Sequence, residues 1–219
     1  MNRTRVSLAV CHTVLAILDS FGVRRRKGRS QLAGVVEALE QKFPCSREHS
    51  DRVVEFSKVI ADELPIPAEK VITICQAARL HDVGKIGVPG EILTKPGPLT
   101  EQERRVIKTH PRVAANLLKR LFFPRECIDL VYHHHEWFDG NGYPGRAEGK
   151  DIPLGARVIA VADAFDAMTS DRPYRKAMSV DDASRELQCC AGSQFDPDIV
   201  DAFTRAFQKG ALAPQRQRR

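Results

Sequence analysis

The stretch Leu80-His81-Asp82-Val83-Gly84-Lys85-Ile86-Gly87 sets an imidazole and a carboxylate side by side near the end of an apolar-periodic helix. Val71, Ile74, Cys75 and Ala78 recur there at three- and four-residue steps, the spacing of one helix face. His81 and Asp82 continue that face toward a core. Either group buried without a partner costs roughly 2–7 kcal/mol, so each requires a hydrogen bond, an ion pair or a metal. Gly84 and Gly87 allow the chain to turn away, and Lys85 is placed to meet an anionic ligand. Taken alone, the pair also fits a core histidine satisfied by backbone.

The same choice recurs along the chain. His49 shares a face with Val53, Phe56 and Ile60, on a helix expected over about 47–64. Thr100-x-x-Glu103 is a capping box opening a helix expected to finish at His110, where a histidine can simply complement the dipole. His133-His134-His135-Glu136 closes another apolar helix. It leads into Asp139-Gly140-Asn141-Gly142-Tyr143-Pro144, a loop of the kind that brings backbone close to a ligand. Asp163 sits within an apolar stripe of Ile159, Ala160 and Ala167, a position that calls for a cation. The cationic segment 168–176, with Arg172 and Arg175, suits phosphate.

Jointly, His49, His81, Asp82, His110, His134, His135 and Asp163 come from five helices, each at an inward position or a helix end. Nitrogen and oxygen ligands without thiolate suit iron, manganese, zinc or magnesium. Seven such groups with one shared carboxylate suit two metals about 3.5–4 Å apart, a pair that holds a hydroxide and polarises a phosphoryl oxygen.

The elements that carry these groups are helices throughout. Residues 31–43 are helical in pattern and end at Pro44; Pro65 and Pro67 separate the next two helices. Residues 88–98 form a Pro/Gly-rich connection. Pro111 and Pro124 are expected in the first turns of two helices, Pro153 begins another, and Ser179 and Asp196-Pro197 cap the last two. No strand run survives, so the fold class is all-α, a helical bundle with an N-terminal helical extension. The expected divisions are an extension over 1–43, a catalytic domain over 44–209 and a basic tail over 210–219.

With 219 residues and 42% apolar composition, the chain can bury one sizeable core. Its net charge of +6 is concentrated at Arg24-Arg25-Arg26-Lys27 and at the termini. Without interleaved aromatics these runs read as solvated, not as a site for a nucleic acid polymer. The six cysteines form no Cys-x-x-Cys motif or disulfide framework, which points to reduced thiols and a cytoplasmic setting. Val6 to Leu18 is too short and interrupted for a membrane span or signal peptide. Leu8, Cys11, Leu15 and Leu18 share a stripe suited to a homodimer or docking contact.

From residue 48 to residue 207 the chain resembles the HD-GYP domains, the branch of the HD phosphohydrolases that degrades cyclic di-GMP. The resemblance rests on Glu48-His49-Ser50-x-Arg52-Val53, His81-Asp82-x-Gly84-Lys85-Ile86-Gly87 and Lys95-Pro96-Gly97-x-Leu99-Thr100. It continues through His134-His135-Glu136, Asp139-Gly140-x-Gly142-Tyr143-Pro144, Val161-Ala162-Asp163 and Asp171-Arg172-Pro173-Tyr174-Arg175. It implies an all-helical fold, a binuclear metal centre and hydrolysis of cyclic di-GMP to linear pGpG by a metal-bound hydroxide. His49, His81, Asp82 and Asp163 would hold one metal, and His110, His134 and His135 the other, with Asp82 as bridge and catalytic carboxylate.

By the same resemblance Lys85 would contact the scissile phosphate, while Tyr143, Arg172 and Arg175 would seat the dinucleotide. Iron or manganese is the expected metal, with magnesium, nickel or zinc as alternatives. The glutamate that holds a third metal in some members is Cys45 here, so two metals are expected and hydrolysis onward to GMP is left open. The competing readings are a non-catalytic cyclic di-GMP sensor and a different HD nucleotide phosphohydrolase. A diguanylate cyclase at the Gly-Tyr-Pro loop, or a regulator acting in trans, is the expected protein partner.

Overall fold

The computed structural model describes residues 46–171 and 176–212. The helices expected within 1–43, Cys45, Arg172, Arg175 and most of the 210–219 tail lie outside them. Helix α1 (Ser46–Asp62) buries Val53, Phe56 and Ile60, the stripe that the sequence places below His49. Pro67 caps α2 (Ala68–Leu80), whose Ile74, Ala77 and Ala78 are buried and whose C-cap is His81. A 3-10 turn (Val83–Gly87) follows, with Asp82 as its N-cap. One turn of helix, α3 (Gly90–Leu93), lies in the expected Pro/Gly connection. Four residues are too few to show a helical period, which is why the sequence reads there as loop.

Helix α4 (Glu101–Ile107) begins with the expected capping box, Thr100 and Glu103 bonding reciprocally. It stops before His110, which is the first residue of α5 (His110–Arg120), with Pro111 in its first turn. The expected position of His110 at a helix C-terminus is therefore corrected. Proline favours a helix's first turn, and the chain restarts at His110 instead of ending there. Helix α6 (Arg125–His133) is capped by Pro124, and α7 (Leu154–Thr169) by Pro153, each just outside its helix. A 3-10 turn (Gly149–Asp151) precedes α7. Ser179 and Asp196 cap α8 (Val180–Cys189) and α9 (Pro197–Gln208) through their side chains.

Helix α7 is the apolar centre, with Ala156, Val158, Ile159, Val161, Ala162 and Phe165 fully buried. Helices α1, α2, α6, α8 and α9 all pack on it, while α5 packs on α6 and the 3-10 turn after α2. Phe165 meets Phe56 of α1 and Phe203 of α9 edge-on, both at 5.0 Å between centroids. The only bridge between extended residues, among those described, joins Ala191 and Phe195. The fold is all-α, as the periodicity indicates. Among the described residues no helix is long and apolar enough to cross a membrane. Cys75, Cys127, Cys189 and Cys190 are free thiols.

Candidate metal centre

His81 and Asp82 occupy the corner between α2 and the 3-10 turn, both buried. Gly84 lets α5 approach this corner. A Cβ at residue 84 would lie 2.0 Å from the His110 carbonyl oxygen and 2.6 Å from the Ala114 nitrogen. Backbone on backbone at that range brings His110 to the far side of Asp82. Helix α6 delivers His134 and His135 just past its end, α7 contributes Asp163, and α1 contributes His49.

The imidazole Nε2 atoms converge. His49 and His81 face each other at 3.3 Å, as do His110 and His134. Asp82 lies between the pairs, with Oδ2 at 3.6 Å from His49 and 3.5 Å from His81, and Oδ1 at 3.4 Å from His110. Asp163 Oδ1 stands 3.4 Å from His49. His135 completes a group with His110 and His134 whose donor atoms all lie within 4.8 Å of one another; His49, His81 and Asp163 form a second such group. All seven sequence-predicted metal residues are thus brought together.

The direction of the ring protons shows what this arrangement accepts. The Nδ1 atoms of His81, His110 and His134 lie 2.7, 2.8 and 2.7 Å from the carbonyl oxygens of Ala78, Ile107 and Val131. A carbonyl can only accept, so each Nδ1 carries the proton and each ring turns its Nε2 inward. Where His110 meets His134, two lone pairs facing at 3.3 Å repel unless a cation lies between them. Asp82 Oδ1 is buried with no hydrogen-bond partner, a costly state for a carboxylate oxygen. Nitrogen and oxygen acceptors aimed at common points, with their outer atoms held by hydrogen bonds, fit a divalent metal.

Electrostatics divide the cluster. Burial pushes His110 down to about 4, and burial with the neighbouring His110 takes His135 to about 3. His134 is held well below the ordinary histidine range, again chiefly by burial. These rings stay neutral at pH 7, the form that ligates. His49 moves the other way: burial opposes its charge, but Asp166, Asp82 and Asp163 outweigh it and raise it to about 10. Asp82 ionises well below the usual range, since Lys85 and His81 outweigh its desolvation. This end of the cluster favours positive charge.

Around the centre, Lys85 Nζ donates to Asp82 Oδ2 at 2.5 Å. The Tyr143 ring packs on His135 at 4.9 Å, with Lys108 Nζ 5.3 Å above it. Gly142 is tight: a Cβ would reach the Trp137 nitrogen at 2.1 Å. The buried Glu136 accepts from the Gly145 N–H at 2.6 Å, and Phe138 and Asp139 donate to Gln194 and Ser193 carbonyls. The Gly-Tyr-Pro loop is thereby folded back beside the histidines, with a cis Tyr143–Pro144 bond. One residue that sequence reasoning missed is Asp166, which is buried and bonded to His49 and Arg52. Its signal was present: a second aspartate one turn after Asp163 on an apolar helix.

A helical core presenting a buried His-Asp pair amid converging imidazoles defines the HD class, and the chain belongs to the HD domain family, whose sequence model matches residues 35–199. Its relatives are cyclic-dinucleotide enzymes by name. It is 39% identical over 201 residues to the cyclic di-GMP phosphodiesterase response regulator RpfG of Xanthomonas campestris pv. campestris, covering 91% of this chain and 52% of that protein. It is 39% identical over 160 residues to a cyclic di-GMP phosphodiesterase of Thermotoga maritima, covering 72% of this chain and 44% of the relative. The chain thus spans about half the length of these curated relatives. A crystal structure of a Vibrio cholerae cyclic GMP-AMP-specific phosphodiesterase shares the fold, with a TM-score of 0.60 at 18% identity over 75% of this chain and 45% of that one.

Proposed function

We propose that this chain is a metal-dependent phosphodiesterase that hydrolyses cyclic di-GMP to linear pGpG. The observation that carries the reading is Asp82, a buried carboxylate with His49 and His81 at one oxygen and His110 at the other. The substrate is supported by the names of the relatives and by the Asp139-to-Pro144 loop beside the histidines. In this reading His49, His81, Asp82 and Asp163 would hold one divalent ion and His110, His134 and His135 a second, with Asp82 as the shared carboxylate. The donor set suits iron or manganese. Such ions would supply Lewis acidity, activating water and neutralising charge on the phosphoryl group.

The chain's own groups do the rest. Asp82 and the neutral imidazoles orient their lone pairs inward without reorganisation during the reaction. Lys85, tethered to Asp82, offers its ammonium to the phosphoryl oxygens as negative charge builds. Tyr143 gives the dinucleotide an aromatic wall, while Arg172 and Arg175 grip its phosphates. Residues 44–209 form the catalytic unit; the helices expected before Pro44 meet a second copy or a regulator acting in trans, and the Gly-Tyr-Pro loop docks a diguanylate cyclase, in the cytoplasm.

The test is metal content and turnover on one anaerobically purified sample, with cyclic di-GMP and 3′,3′-cyclic GMP-AMP assayed side by side. About two iron or manganese ions per chain, with pGpG appearing, is the expected result. Faster cleavage of the hybrid dinucleotide would reassign the substrate. Tight binding without product would replace the enzyme with a sensor.

A further inference from the structure

We infer that Asp166 is the positioning residue of the His49 side of the centre: together with Arg52 it holds the imidazole so that Nε2 is presented as a ligand. This rests on reading the His/Asp cluster as a metal centre. Helices α1 and α7 pack together, and each carries a polar pair three residues apart, His49 with Arg52 and Asp163 with Asp166. That spacing puts both members of a pair on one helix face. The edge-on contact of Phe56 with Phe165 sets the register between the helices. One turn of α7 therefore faces one turn of α1, Asp163 toward the cluster and Asp166 behind it.

His49 Nδ1 lies 2.6 Å from Asp166 Oδ2. Arg52 Nη2 donates to the same oxygen at 3.2 Å, and its Nε donates to Oδ1. The carboxylate is 2% exposed, so its geometry is set by these partners. The other anchored rings do without such a group. His81, His110 and His134 lie at helix ends, where carbonyls are left over from the ladder, and each uses the carbonyl three residues earlier. His49 lies within α1, where backbone carbonyls are engaged, so its Nδ1 must find an acceptor on another element. A charged acceptor fixes the tautomer and makes Nε2 a stronger donor than a carbonyl would. Arg52 holds the carboxylate ionised and keeps it from rotating.

The test uses the full chain, metal-stripped and titrated with Mn²⁺ by calorimetry and electron paramagnetic resonance, alongside apo-protein melting curves. Asp166→Asn, nearly isosteric, should stay folded at the titration temperature, with its apo melting temperature lowered by the loss of a buried ion pair. It should weaken one Mn²⁺ site by roughly 10–100-fold, the usual effect of losing such an outer partner, and leave the His110–His134–His135 site unchanged. At low metal its spectrum should be that of a lone Mn²⁺, where the wild type shows a coupled pair. Arg52→Gln should weaken the same site alone. Both sites at wild-type affinity in Asp166→Asn, or both weakened equally, would overturn the assignment; Asp166→Ala, at greater folding risk, is not needed for the decision. A wild type that binds no Mn²⁺ would overturn the metal-centre reading itself, and the inference with it.

Discussion

His110 and His134 face each other Nε2 to Nε2 at 3.3 Å while the Nδ1 of each donates to a carbonyl of the preceding turn. Neither ring has a proton to offer the other, and burial holds both in the neutral form. The pair is two acceptors sharing one direction. His49 and His81 also face each other at 3.3 Å, and Asp82 lies between the two pairs, which makes Asp82 the most consequential single side chain of the centre.

Replacing Asp82 by alanine should lower cyclic di-GMP turnover by roughly 10³-fold or more, at or above the scale of losing a dedicated electrostatic stabiliser. Metal analysis of the same sample should show a fall in bound ions. Wild-type turnover in this variant would sink the shared-carboxylate mechanism.

Gly84→Ala should destabilise the domain, because its Cβ would lie 2.0 Å from the His110 carbonyl oxygen, an atom with no freedom to move aside. Overpacking of this kind costs about 1–3 kcal/mol. At ~2–4 °C per kcal/mol for a domain of this size, calorimetry should find Tm lowered by roughly 2–12 °C.

Tyr143→Ala should act on binding more than on chemistry, since the ring packs on His135 and lies beside the ligand atoms. Base–aromatic stacking is worth about 1–3 kcal/mol, so KM should rise by ~5–150-fold with kcat changed far less. Steady-state kinetics separates the two, and an unchanged KM would remove Tyr143 from the substrate site.

Asp196 predicts a pH dependence of stability. Burial pushes its carboxyl pKa up, but Arg157, Lys150 and the Asp198 N–H outweigh this and hold it below the ordinary value. A depressed carboxylate stabilises the fold above its unfolded pKa of about 3.9, and that contribution is lost as pH falls through the lower folded value. Asp196→Asn leaves Arg157 without its buried partner, at a cost of about 3 kcal/mol at pH 7. In denaturant melts the gap from wild type should shrink below about pH 4; a gap independent of pH would contradict the assignment.

The local grammar of the chain was legible without coordinates. Apolar residues at helical spacing placed the inward faces of α1, α2 and α7, and Thr100, Ser179 and Asp196 marked helix starts because their side chains can cap free N–H groups. The same periodicity placed His49 on an inward face, where a satisfied core histidine also fits, and Asp163 where packing alone has no use for it. Helix ends next to proline were harder: Pro111 was placed correctly in a first turn, but His110 was assigned to the helix before it. A one-turn helix such as Gly90–Leu93 has no period to detect.

Tertiary structure decided which groups meet. His49 and Asp166 are 117 residues apart, and their contact follows from the packing of α1 on α7, a relation between helix surfaces that no local pattern encodes. The face of α7 showed that Asp163 needed a cation, yet it could not tell that the next aspartate would serve the histidine from behind. Gly84 announced a turn in the sequence; only the close approach of α5 made it the reason His110 reaches Asp82. Side-chain type and helical period are short-range properties, readable along the chain. A metal-sized gap among imidazoles is set by inter-helix distances to within about an ångström, and those depend on the whole core.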